Sequence, residues 1–129
     1  MRQVQDIKAE WTRIRPVLDG MAGDSDGWIP EDVYAILVSG NATLYVNDGE
    51  WLGFCVVQLL PYYGAKRLHV WILYLEHDPL WFMGRLTNLA KTHGATKITF
   101  STSRRGWEKR ALRLGFKPGM RNYEMDIGS

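Results

Sequence analysis

At 129 residues, 46% hydrophobic and 23% charged, the chain has the size and composition of one globular domain, and a disordered, collagen-like or repeat architecture is excluded. The formal net charge of +2 divides unevenly, with 4 basic and 9 acidic side chains in residues 1–59 and 12 basic and 5 acidic in residues 60–129. No apolar run approaches the ~20 residues of a membrane span, the first residues lack a signal peptide's apolar stretch, and the lone Cys55 rules out an internal disulfide or a thiolate zinc motif, so a reducing, cytoplasmic setting without membrane contact is expected.

Val4, Ile7, Trp11, Ile14, Leu18 and Met21 recur at gaps of three and four, which predicts a helix that Pro16 breaks near Arg15, followed by a kinked or separate turn and a loop over residues 20–27. Pro30 opens a second helix, with Glu31 and Asp32 complementing its N-terminal dipole, Val33, Ile36 and Leu37 forming its buried stripe, and Gly40 ending it. Residues 42–46 alternate as a half-buried strand does, and Asn47-Asp48-Gly49 turns the chain into an antiparallel partner over 51–60. A loop at Pro61, Tyr62, Tyr63 and Gly64 leads to a near-continuous apolar strand over 68–76, the expected centre of the sheet. Asp78-Pro79 reads as a helix cap with a first-turn proline, and Leu80, Met83, Leu86, Leu89 and Ala90 form the stripe of a helix that stops at Gly94. A strand over 96–101, a short basic helix over 104–114 ending at Gly115, and an edge strand over 121–127 complete the chain. The predicted fold class is α/β (α+β): a mixed, mostly antiparallel sheet with one parallel β-α-β unit and helices on both faces, in one domain of residues 1–129.

This element order, with the ending Leu112-Arg113-Leu114-Gly115-Phe116-Lys117-Pro118, resembles the GNAT superfamily of acyl-CoA N-acyltransferases. The resemblance covers roughly residues 30–127 in element order, and its specific motif is the short Leu114-Gly115-Phe116 segment. It implies acetyl-CoA as cofactor and an amine as acceptor; His69 and His93 lie far apart in the chain, so no metal site is expected. The resemblance also implies a β-bulge in the 68–76 strand for the pantetheine arm and a phosphate-binding loop at the start of the next helix. Small GNAT-like proteins of this kind also occur in bacteriophages, which would place such a chain in a host cytoplasm or a virion.

Pyrophosphate needs small residues there so that helix N–H groups can approach it, and the family's loop reads Gln/Arg-x-x-Gly-x-Gly/Ala. This chain reads Asp78-Pro79-Leu80-Trp81-Phe82-Met83-Gly84-Arg85, with one glycine, two bulky rings, a carboxylate at the helix start and a proline that deletes a donor. Gly84 and Arg85 are what remains to meet a phosphate, Arg85 from the second turn. The family's general-acid tyrosine and its helix-start asparagine fall on Ala111 and Arg104. Tyr123 and Tyr74 are the strand tyrosines open to the acid role, against a plain packing role.

Glu76 and His77 follow the central strand at the sheet edge where ligands bind, which makes Glu76 the candidate general base, against the reading of both as exposed loop residues. Backbone donors near Leu75 would polarise a thioester. Arg104 and Arg105 either occupy a helix's first turn, where positive charge is unfavourable until an anion binds, or stand in a loop if Gly106 and Trp107 mean that the helix starts later. The basic stretch 104–121 fits an anionic partner or a solvated face set against the acidic N-terminal half. Trp11, Trp71 and Trp107 fit core stripes, while Trp28, Trp51 and Trp81 are candidates for a contact surface or for burial at the sheet rim.

Three functions are compatible with these residues. One is N-acyl transfer from acyl-CoA to an amine. Another is a GNAT-like scaffold that has lost its cofactor and binds a protein partner through the basic helix and rim aromatics. The third, nucleic-acid binding through 104–121, has charge but no motif.

Overall fold

A computed structural model describes residues 1–24, 27–47, 49, 52–76, 79–101, 107–119, 123 and 125–128, and only the backbone of residues 24, 79, 81, 107 and 108. Its framework is the hairpin of β3 (Gly53–Tyr62) and β4 (Ala65–Leu75), antiparallel from Gly53↔Leu75 to Tyr62↔Ala65. On one side β2 (Thr43–Val46) pairs antiparallel with β3, and β1 (Arg2–Gln3) pairs with β2. On the other, β5 (Lys97–Phe100) pairs parallel with β4, giving a five-stranded sheet in the order β1-β2-β3-β4-β5.

The helices cover both faces. α1 (Ile7–Met21) and α2 (Pro30–Ser39) bury Ile14, Leu18, Val33 and Leu37 against Leu44, Val46, Phe54, Val56 and Ile72. α3 (Pro79–Thr92) buries Phe82, Leu86 and Ala90 on the other face, against Cys55, Val57, Leu68 and Val70. α4 (Trp107–Arg113) follows β5, and Phe116 just beyond it meets Phe100 edge-on at 4.8 Å. α2 starts and stops as predicted: the Ile29 N–H donates to Asp32 Oδ2 at 3.1 Å, and Gly40 takes the left-handed conformation (φ 82°) that closes the last turn.

Several expectations are corrected. Pro16 lies inside one uninterrupted α1; it and Thr12, whose carbonyl loses its helical donor, are exposed, and buried Ile14 and Leu18 anchor the helix on either side of it. The expected loop at 61–64 is a two-residue turn, with Pro61 and Tyr62 still in β3. Tyr63 (φ 46°) and Gly64 (φ 79°) are both left-handed, as a type I′ hairpin turn requires. In α3 the inward residue is Phe82, 2% exposed, and Leu80 turns outward at 64%. Of the two readings of Trp28, burial is the one found: it is 6% exposed and packs in the α1/α2 core. Described residues of the expected 121–127 edge strand form no strand: Tyr123, Met125 and Ile127 are 81 to 92% exposed, so their alternation has no sheet face to bury.

Candidate functional site

The register of β3 and β4 slips once. Val56 pairs with Ile72 and Val57 with Val70, so Trp71 is the extra residue of a β-bulge. The bulge puts Trp71 and Ile72 successively on the α1/α2 face, whereas Leu68 and Val70 before it, and Leu73 and Leu75 after it, lie on the α3 face. The bulge implied by the family resemblance is therefore present, at Trp71.

The parallel pairing of β4 with β5 stops at Val70↔Phe100, one residue short of that bulge. From Trp71 to Leu75, β4 keeps β3 on one side, and no described residue pairs with it on the other. The Glu76 N–H donates to the Leu52 carbonyl at 3.2 Å on the β3 side. Because strand N–H groups alternate between edges, those of Leu75 and Leu73 face the open side. A strand edge left open in this way is a template for an extended amide-bearing chain.

Glu76 stands at the mouth of this fork, at the end of β4 where it was expected. Its carboxylate is already engaged: the Leu52 N–H donates to Oε1 at 2.7 Å and the Tyr74 hydroxyl to Oε2 at 3.1 Å. Burial first, and then this bond to Glu76, raise the Tyr74 pKa, so the phenol stays a proton donor. The Tyr74 ring stacks on Phe54 at 5.6 Å, which fixes the pair from below. Glu76 thus ties the start of β3 to the end of β4 and presents an ordered carboxylate to solvent.

α3 begins beside the fork. Pro79, at the first position of α3, offers no N–H, and the buried Phe82 ring pins the first turn to the sheet. Gly84 and Arg85 lie one turn further on and are exposed; a Cβ built on Gly84 meets nothing within 4 Å, so space above this turn is open. The open edge and the helix start are where the family resemblance expects the pantetheine arm and the diphosphate, and Pro79 gives that start one donor fewer than a helix without proline would have.

Of the other expected site residues, Tyr123 is 89% exposed and is not packed on a strand. His77, Asp78, Arg104 and Arg105 lie outside the described residues, as does Trp51, and α4 is described from Trp107 onward. Lys109, Arg110, Arg113 and Lys117 are exposed.

Sequence reasoning missed a polar cluster on the α1/α2 face, on the closed side of the fork. His69 Nδ1 and Thr99 Oγ1 are 2.8 Å apart across β4 and β5, and Arg67 Nη1 donates to the same Thr99 oxygen at 3.4 Å. Burial, then the nearby Arg67 charge, lowers the His69 pKa and favours a neutral ring. The partners are thirty residues apart in sequence, and only the parallel register His69↔Thr99 could have revealed them. A separate cleft of ≈ 280 Å³ lies between the second half of α3, the start of β5 and the end of α4, away from the fork.

No protein-family model matches the sequence, and no curated protein matches it. Solved structures do match along nearly the whole chain. The ribosomal-protein-alanine N-acetyltransferase of Brucella melitensis biovar Abortus 2308 is 19% identical, with a TM-score of 0.69 over 93% of this chain and 94% of that one. A predicted acetyltransferase of Clostridium acetobutylicum, solved with acetyl-CoA, gives 16% and 0.67 over 98% and 94%. An aminoglycoside N-acetyltransferase in complex with CoA gives 13% and 0.68 over 99% and 98%. Together with the bulged β4, the parallel β4-α3-β5 unit and the helices on both faces, these likenesses show that the chain has the GNAT acetyltransferase fold.

Proposed function

We propose that the chain is an N-acyltransferase that takes an acyl-CoA, with acetyl-CoA the simplest case, and an amine acceptor. The observation that carries this reading is the edge of β4 from Trp71 to Leu75, which no described residue pairs with, beside the start of α3. Two structural neighbours of the same fold were solved with CoA or acetyl-CoA, which supports the same cofactor class.

The Leu73 and Leu75 N–H groups would hold the pantetheine amides and polarise the thioester carbonyl, and the first-turn N–H groups of α3, with Arg85 reaching from the second turn, would hold the diphosphate. Arg104 and Arg105 are further candidates for its phosphates. Acyl-CoA supplies an acyl group already activated as a thioester. Glu76, directly or through a water, would take the proton of the incoming amine, and Tyr74 and Leu52 keep that carboxylate oriented for the transfer. Tyr123 remains the candidate proton donor to the departing thiolate.

A second reading, a GNAT-like scaffold that binds a protein partner without cofactor, is favoured by one specific feature: the 78–85 segment has a single glycine and a proline in place of a donor. Thermal unfolding with added acetyl-CoA separates the two. Ligand at about 100 times its dissociation constant adds ~2.7 kcal/mol of stability if the native fork binds it. No shift at millimolar acetyl-CoA would leave the scaffold reading standing.

A further inference from the structure

We propose that Arg67, His69, Lys97 and Thr99 form an oxyanion site and, resting on the acyltransferase reading, that the oxyanion is a carboxylate or phosphate carried by the amine acceptor. These residues sit on the same face of paired strands, Arg67 opposite Lys97 and His69 opposite Thr99, immediately before the point where β4 and β5 part. An acceptor anchored there by its anion lies along the strand that leads to the open edge.

The charges call for an anion. Arg2–Glu10, Arg13–Glu10, Arg15–Asp19 and Arg15–Glu31 are ion pairs made by α1 and its neighbours. Lys66, Arg67 and Lys97 take part in none of them. Among the described residues, the strand neighbours of His69 are Gln58 on β3, Arg67 on its own strand and Thr99 on β5, and none is acidic. Gln58 is turned away to the Asn41 carbonyl at 3.3 Å.

The donors are also underused. Arg67 Nε is shielded from solvent and has no acceptor, and the guanidinium makes a single long bond at 3.4 Å. An uncompensated buried donor costs free energy, and an oxyanion on the guanidinium would replace the long contact with short charge-assisted bonds. Thr99 binds Nδ1 of His69, leaving Nε2 to meet a ligand oxygen. The Lys97 ammonium is placed at the edge of the cluster by the Tyr62 ring, 5.0 Å from the ring centre.

The test follows the His69 imidazole by NMR in the full chain while inorganic phosphate or acetate is added, with His69→Gln identifying the signal. At least one anion should shift that signal saturably, and the two arms tell phosphate from carboxylate. Arg67→Met should weaken binding by about tenfold or more, and Thr99→Val should weaken it independently, each in a protein whose amide spectrum shows the fold intact. The site is overturned if neither anion moves His69, or if both variants bind as the parent does. The acceptor assignment is tested by kcat/KM with acetyl-CoA for matched amines with and without an anionic group. An anionic preference abolished by Arg67→Met supports it, and equal use of neutral amines overturns it. Phosphate binding without any acetyl-CoA binding supports the oxyanion site while overturning the acceptor assignment together with the acyltransferase reading.

Discussion

The two halves of β4 make an instructive contrast. From Arg67 to Val70 the strand lies between β3 and β5, with both edges paired. From Trp71 to Leu75 it pairs, among the described residues, with β3 alone, although its side chains still pack into the same two cores. Packing therefore does not require both edges to be paired, and the hairpin holds the second half in place while its free edge stays available. A one-residue bulge and a four-residue β5 suffice to separate the two behaviours.

The largest way to break this contrast is to remove the packing that holds the open half. Phe54→Ala deletes a fully buried ring beneath Tyr74 and should cost ~3–5 kcal/mol in chemical denaturation, destabilising the whole domain. Glu76→Ala removes the acceptor for Leu52 and Tyr74 and should cost about 1 kcal/mol, less than a buried charge-assisted bond because the carboxylate meets solvent, and it should abolish any acyl transfer. At the hairpin tip, Tyr63→Asn should stabilise by about 0.5–1 kcal/mol in thermal unfolding, since Asn tolerates the left-handed turn that a bulky ring resists.

Two smaller effects sharpen the comparison through titration. The His69 pKa is lowered below its ordinary 6.5, so the unfolded chain takes the proton more readily than the folded one. The stability contributed by neutral His69 is complete above that value and declines as the pH falls through and below it. His69→Gln should flatten that part of the pH–stability curve. Burial pushes the Cys55 thiol up to about 12, so native protein at pH 8 should react negligibly with a thiol reagent that labels it at once in denaturant.

Much of the scaffold was legible because it is local. Pro30 and Gly40 bracket α2 and Asn47 and Gly49 mark the β2–β3 connection, while the apolar run of β4, expected at the sheet's centre, stands beside the middle strand, which is β3. What escaped is non-local or against propensity. Two polar residues, Arg2 and Gln3, carry no strand signal of their own and pair only because β2 is there. Tyr63 takes a turn position where Asn would be expected, and α1 passes through Pro16, which with Thr12 lies exposed. Tyr123, Met125 and Ile127 alternate like a strand and lack a face to cover. The Trp71 bulge followed only from the family resemblance, since nothing in the residues of β4 marks one position for insertion. Of the site, Glu76 could be placed from its position after a strand, whereas the bonds that orient it come from Leu52 and Tyr74.

The central claim is that the free edge of β4 receives the cofactor, and backbone amide NMR during an acetyl-CoA titration tests it most directly. The account predicts saturable shifts and slowed hydrogen exchange at the Leu73 and Leu75 amides, with His69 and Val70 on the paired half little changed. Amides of Leu73 and Leu75 that stay unmoved at saturating acetyl-CoA, or shifts confined to another part of the molecule, would contradict it.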